Sequence, residues 1–171
     1  MEVFHKRWHL RVLAFLHQHH GARFVEFGPA LGISADSLTR ALQELQDAGW
    51  VMRNPGYGHP LRPEYVLTER ATALAAQCAR FAALISDLGA GRAVYHKWSV
   101  PVIVTIDGGI ARFNALKQTL AITPRALQQS LQRLADTRLV TDGDGYALTT
   151  PGAKIATLAN RVLVQHAAPG G

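Results

Sequence analysis

The sequence predicts a mainly α-helical chain built from two tandem copies of one small unit, each closed by a small β-hairpin. Three observations carry this. First, apolar residues recur at helical spacing through short segments with clear starts and stops; in 34–49, Leu38, Ala41, Leu42 and Leu45 share one stripe. Second, that segment occurs twice. Residues 22–53 laid without a gap on residues 111–142 give eleven identities in 32 positions, including Ala22-Arg23-Phe24 on Ala111-Arg112-Phe113 and Leu42-Gln43 on Leu131-Gln132. Third, Tyr65-Val66-Leu67-Thr68 and Tyr146-Ala147-Leu148-Thr149 follow the two copies, and the offset falls from 89 to 81. The first hairpin is therefore eight residues longer.

The elements follow in order. Residues 2–19 read as a helix with Phe4, Trp8, Val12, Phe15 and Leu16 on one side, stopped by Gly21. Residues 23–31 form a short second helix, kept brief by Pro29. Gly32 makes a turn, Ser34 caps the next helix, and Gly49 ends it. Helix, short turn, helix is a helix-turn-helix. Strands are expected at 50–53 and 61–67 around the turn-rich 54–59, which makes a β-wing. Thr68 is expected to cap a long apolar helix over 69–88. Gly89-Ala90-Gly91 is the joint between units 1–88 and 93–171.

The second unit repeats the order. Its opening, Val94-Tyr95-His96-Lys97 before Trp98, echoes Val3-Phe4-His5-Lys6 before Trp8. A helix is expected over 92–106, bent or restarted by Pro101. A short helix over 112–120 follows. Thr123 caps the next, with Pro124 at the first helical position, where a missing N–H costs nothing. Asp142-Gly143-Asp144-Gly145 is a tight hairpin turn, and 151–165 is the last helix. The expected fold class is mainly α with small β-wings: two tandem winged helix-turn-helix units. The long helix after each wing and the first helix of each unit are expected to form the inter-unit or homodimer core.

Charge and composition bound the function. The 171 residues carry a net charge of +6 and a pI near 10.0, which favours a polyanionic partner. Residues 1–88 hold nine Lys/Arg against eight Asp/Glu; residues 89–171 hold nine against four. No apolar run reaches membrane-spanning length, and the opening residues lack a signal-peptide core, so a cytoplasmic, nucleoid-associated protein with no membrane partner is expected. The lone Cys78 excludes an intramolecular disulfide and reads as a small buried residue. His17, His19 and His20 read as a solvated turn without accompanying metal ligands. No nucleophile elbow or phosphate-cradling glycine motif is present, so neither an enzyme nor a cofactor is expected, and no effector pocket is located.

Each unit resembles the HxlR-type family of bacterial transcriptional regulators, which is related to the MarR class. In the first unit the resemblance rests on RFVEFGPALGIS, LTRALQELQDAGWVMR and HPLRPEYVLTERA, with Pro60, Arg62, Glu64, Tyr65, Leu67 and Thr68 in the pattern P-x-R-x-E-Y-x-L-T. In the second it rests on HKWSVPVI, RFNALKQTLAIT and YALTTPGAK. The resemblance implies winged-helix DNA binding. It departs from the family in having two units in one chain, where members usually hold one and pair as homodimers. Neither first helix opens with the cysteine common in the family. Asp36 stands where the family commonly has a basic residue, which Arg125 keeps. The second unit lacks counterparts of Arg62 and Glu64.

Double-stranded DNA is therefore the expected partner. Cations on phosphates give affinity, and side chains on base edges give specificity. In the first unit the candidates are Ser37, Thr39, Arg40 and Gln43 on the helix, with His59 and Arg62 at the wing. Asp36, Glu44 and Asp47 weigh against it, because acids facing a duplex repel phosphate. In the second unit they are Thr123, Arg125, Gln128, Gln129 and Gln132, a face without an acid until Asp136. Arginine pairs with guanine and glutamine with adenine bidentately, so the second helix has the better chemistry for reading bases. The alternatives are a winged-helix scaffold for protein partners and a non-specific DNA-binding protein.

Overall fold

The computed structural model describes residues 4, 6–56 and 62–167. Its helices are α1 (Arg7–His19), α2 (Phe24–Leu31), α3 (Ala35–Asp47), α4 (Thr72–Asp87), α5 (Gly91–Val94), α6 (Ser99–Asp107), α7 (Phe113–Leu120), α8 (Pro124–Asp136) and α9 (Thr150–Ala167). The antiparallel hairpins are β1 (Val51–Arg53) with β2 (Tyr65–Leu67), and β3 (Val140–Asp142) with β4 (Tyr146–Leu148). The elements keep the register of the repeat: α2, α3 and β1 recur 89 residues on as α7, α8 and β3, and β2 recurs 81 residues on as β4. Two helix-turn-helix segments, each closed by a two-stranded wing, make the tandem winged fold the sequence predicts.

By contact the chain divides into two compact bodies. One holds residues 8–82 with the chain from Val164 onward; the other holds the start of the chain through Arg7 and residues 83–163. In the first body, Leu13 and Leu16 of α1, Phe27 of α2, the α3 stripe and Phe81 of α4 are buried. The ring of Phe27 lies 5.1 Å from that of Phe15 and 6.5 Å from that of Tyr65. His166 of α9 packs edge-on to Trp50 at 4.8 Å. Cys78 is buried on α4, and burial pushes its thiol up to about 12, so it is an inert apolar filler.

In the second body α6 is the hub. It packs on α7, α8 and β4, and seven of its nine residues are buried. A helix apolar on every face belongs inside a core.

Each recognition-type helix has the same start and stop. Ser34 Oγ accepts from the Ser37 N–H (3.4 Å) and Thr123 Oγ1 from the Ala126 N–H (3.3 Å), the expected N-caps. At the C-terminus of α3 the N–H of Gly49 donates to Gln46 O (2.8 Å) and that of Trp50 to Leu45 O (2.9 Å). In α8, Arg138 and Leu139 make the same bonds to Ala135 and Leu134. This two-bond closure needs a left-handed residue. Gly49 supplies it at φ 70° in the first copy; Arg138 is forced into it at φ 55° in the second.

Several boundaries differ from expectation, for physical reasons. The helix expected over 92–106 breaks into α5 and α6. Pro101 falls in the first turn of α6, where its missing N–H is harmless, but its ring would strike the carbonyl of Lys97 if one helix ran through. Thr68 does not cap the long helix with its side chain. Its Oγ1 donates to Gly49 O (2.8 Å), a 3₁₀ turn (Glu69–Ala71) follows, and α4 begins at Thr72. Of the helix expected over 2–19, residues 2, 3 and 5 lie outside the described residues; Phe4 is helical, Lys6 is a bend and α1 runs from Arg7, while α9 runs from Thr150 to Ala167. Of the strand expected over 61–67, Leu61 lies outside the described residues and from Arg62 onward the strand is confined to Tyr65–Leu67, because Pro63 cannot donate to a ladder and Asn54 Nδ2 takes its carbonyl instead (3.0 Å).

Candidate nucleic-acid interface

The burial of Leu38, Ala41, Leu42 and Leu45 fixes which side of α3 meets solvent. Asp36, Thr39, Arg40, Gln43 and Asp47 are exposed on it, and Ser37 is half-buried. On α8 the buried Leu127, Ser130, Leu131 and Leu134 leave Arg125, Gln128, Gln129, Gln132 and Asp136 exposed, with Thr123 exposed at the cap. The two stripes correspond position for position: Asp36 with Arg125, Thr39 with Gln128, Arg40 with Gln129, Gln43 with Gln132, Asp47 with Asp136. Each follows the i, i+3, i+4, i+7 spacing that keeps side chains on one face.

Internal hydrogen bonds sort the candidates. Gln43 Nε2 donates to Asp47 Oδ1 and Gln132 Nε2 to Asp136 Oδ1, both at 2.8 Å. Each glutamine thus has one of its two amide N–H groups tied across one helical turn, while its amide oxygen makes no hydrogen bond among the described residues. Thr39 Oγ1 donates to Ala35 O (2.9 Å), and Ser37 Oγ accepts from Ser34 Oγ (3.0 Å). Among the described residues, Arg40, Arg125, Gln128 and Gln129 make no hydrogen bond or ion pair. These are the side chains with their whole donor and acceptor sets open to a ligand.

Electrostatics separate the two faces further. Glu44 of α3 accepts from or pairs with His9 Nε2 at 2.7 Å, so this acid is turned to α1. Its counterpart on α8 is Arg133, which the sequence reading did not single out. With Gln128, Gln129 and Gln132, Arg133 lines an open depression of about 370 Å³. Arg133 was legible as the residue four after Gln129, one step off the stripe. Counting Glu44 and Arg133, the α3 face carries a net −2 and the α8 face +1.

The wings diverge as well. Glu64 Oε2 accepts the Phe24 N–H at the start of α2 (3.3 Å), and Glu64 Oε1 lies 3.4 Å from Arg53 Nη2. Tyr65 is buried beneath, and desolvation with the nearby Glu64 charge raises its pKa. The Glu-Tyr pair of the motif is therefore structural: it ties the wing to α2. Arg62 is exposed, donates from Nη1 to Gly56 O (3.3 Å), and lies with His19, His20 and Arg23 rather than with any residue of α3. His59 lies outside the described residues. The second wing closes over three residues, 143–145, with the Gly143 N–H donating to Gly145 O (3.2 Å) and with Asp142 and Asp144 exposed.

Comparison with known families gives one result. A family model described as HxlR-like helix-turn-helix matches the chain twice, over residues 3–90 and 93–162. The chain belongs to the HxlR-like helix-turn-helix family. Members of the HxlR-like family are DNA-binding transcription regulators, so DNA binding is the activity that membership points to. The two HxlR-like matches take in α2–α3 and α7–α8, the pairs whose outer faces are described above. Comparisons with curated proteins and with solved structures gave no match. Among the described residues no helix is long and apolar enough to cross a membrane, and no group of three or more His, Cys, Asp or Glu side chains is placed to hold a metal ion.

Proposed function

We propose that the protein is a sequence-specific DNA-binding transcription regulator of the cytoplasm, acting as a pseudo-dimer of its two winged units. Helix α8 is the principal base reader. Arg125, Gln128 and Gln129 are exposed, internally unbonded and on one stripe of the second helix of a helix-turn-helix, the position that enters a major groove. That observation carries the reading. Gln132 adds an unbonded amide oxygen, and Thr123 and Arg133 suit the backbone. On α3, Arg40 is the one open cation among Ser37, Thr39 and Gln43, and Asp36 opposes a duplex. A site read strongly by one unit and weakly by the other is asymmetric.

Selection from random duplexes with the full chain, repeated with Arg125→Ala and Arg40→Ala, tests this. Arg125→Ala should cost about ten- to a hundredfold in affinity and relax preference at one position, the value of a bidentate base contact. Arg40→Ala should cost less. If neither changes affinity or preference, the assignment of these helices to DNA is wrong. A perfectly palindromic footprint from one chain would sink the asymmetry.

A further inference from the structure

The base of the first wing carries a cleft that the stripe on α3 does not use. Its volume is about 430 Å³, within the range of small-ligand sites, and His19, His20, Arg23, Glu26 and Arg62 line it over a floor of Gly21 and Pro63. Two guanidiniums and two imidazoles face one carboxylate. That carboxylate belongs to the capping box that starts α2: Glu26 accepts the Arg23 N–H and sits 3.3 Å from Arg23 Nη2, so the cleft keeps an excess of basic side chains beyond this local pair. These bonds, with the positive field of Arg23 and His19, hold its pKa below the usual value. Arg62 commits one donor of its five to Gly56 O.

The floor is firmly built. Gly21 has φ +115°, and a Cβ there would stand 2.8 Å from Pro63 Cβ and 2.9 Å from Tyr65 O, so the α1–α2 turn lies directly on the wing. His20 beside it is held at φ 56°, a left-handed conformation that costs a side-chain-bearing residue about 1–2 kcal/mol. Such strain persists where the surroundings impose it, often at ligand sites. The second repeat resolves the same turn with Gly109 at φ +90°. It also has Gly108 for His19 and Ala115 for Glu26, and its shorter wing has no counterpart of Arg62. Of the four side chains His19, His20, Arg23 and Arg62, only Arg23 keeps a counterpart, Arg112, so the cluster as a whole belongs to the repeat whose helix is the poorer DNA reader.

We propose that this cleft is a binding site for a small anion carrying a phosphate or carboxylate group, held by Arg62 and Arg23 with His19 and His20 as further donors. Charge-assisted bonds from planar guanidiniums suit both groups. The concave shape favours a small molecule over the backbone of a duplex, which runs across a surface.

Calorimetric titration of the full chain with pyrophosphate and with citrate, at ionic strength fixed by chloride, tests the site. Saturable one-site binding of at least one probe is expected. Arg62→Gln should weaken it roughly tenfold, the worth of one charge-assisted bond. His20→Gly should weaken it while raising the melting temperature, which separates a lost donor from a damaged fold. Arg125→Gln should leave anion binding unchanged. Three results would overturn the proposal: no saturable binding of either probe; equal weakening by Arg125→Gln, which would mean general charge attraction; or loss of DNA affinity in Arg62→Gln without any anion binding, which would assign the cleft to duplex phosphate.

Discussion

The stripes of α3 and α8 occupy equivalent positions in two copies of one unit, yet they offer DNA different chemistry. Both keep the leucines that seat the helix and the Gln-to-Asp bond across its last turn. Where α3 has Asp36 and Glu44, α8 has Arg125 and Arg133. Duplication preserved what folds the helix and let the outer face drift. The interior tolerates little because a core is packed to crystal-like density, whereas a solvent-facing position has no such constraint. On the proposed reading, the difference makes α8 the face that a duplex would favour.

The largest test concerns how the two wings join their following helices. Gly152 corresponds to Ala71 through the offset of 81. A Cβ on Gly152 would stand 2.1 Å from Leu139 O, a backbone atom that cannot step aside. Ala71 carries its Cβ, fully buried, because there a 3₁₀ turn opens the helix differently. Gly152→Ala should destabilise the second body by about 3 kcal/mol, the upper range for overpacking. Ala71→Gly should cost about 1 kcal/mol, through backbone freedom and a lost methyl contact. Urea unfolding measures both. Near-equal costs would mean that the two junctions are alike after all.

The second test acts on the faces themselves. Asp36→Arg gives α3 the charge that α8 has at Arg125. It removes an acid from the duplex side and adds a phosphate or guanine ligand, so DNA affinity should rise by about 1–2 kcal/mol and the salt slope should steepen. An unchanged slope would mean that α3 stays away from DNA, leaving α8 the sole reader.

Much of this was legible in the sequence. The repeat register is visible because apolar stripes at helical period are the strongest local signal, and the structure follows the 89 and 81 offsets element by element. Ser34 and Thr123 read as caps and are caps. Pro101 announced a disturbance of its helix but not that the chain would leave helix at 95–98, since that depends on where the carbonyl of Lys97 must go. Contacts that join distant residues had no local sign. The bond from His9 to Glu44 spans 35 positions, and it turns an acid that counted against DNA contact toward α1. Likewise the P-x-R-x-E-Y pattern revealed a family trait, but not that Glu64 binds the start of α2 while Arg62 stands with His19, His20 and Arg23.

The smallest effects test the joints that the repeats share. Gly32, which follows α2, has φ 63°, and its counterpart Ala121 after α7 has φ 48°. After α3 and α8 the pair is Gly49 at φ 70° and Arg138 at φ 55°. In both places the first copy has glycine where the backbone must turn left-handed, and the second copy forces a side chain into that conformation. Nothing lies within 4 Å of a Cβ on Gly32, so the conformation alone decides the cost there. Ala121→Gly and Arg138→Gly should each stabilise the second body by up to about 1 kcal/mol, since relief of the left-handed strain outweighs the added freedom of the unfolded chain. Gly32→Ala should destabilise the first body by about 1 kcal/mol. Thermal unfolding of the three single variants would show these as small shifts of opposite sign in the two copies. If Ala121→Gly and Gly32→Ala moved stability in the same direction, the two turns would not be conformational equivalents, and the residue-by-residue match of α3 with α8 that depends on them would fail.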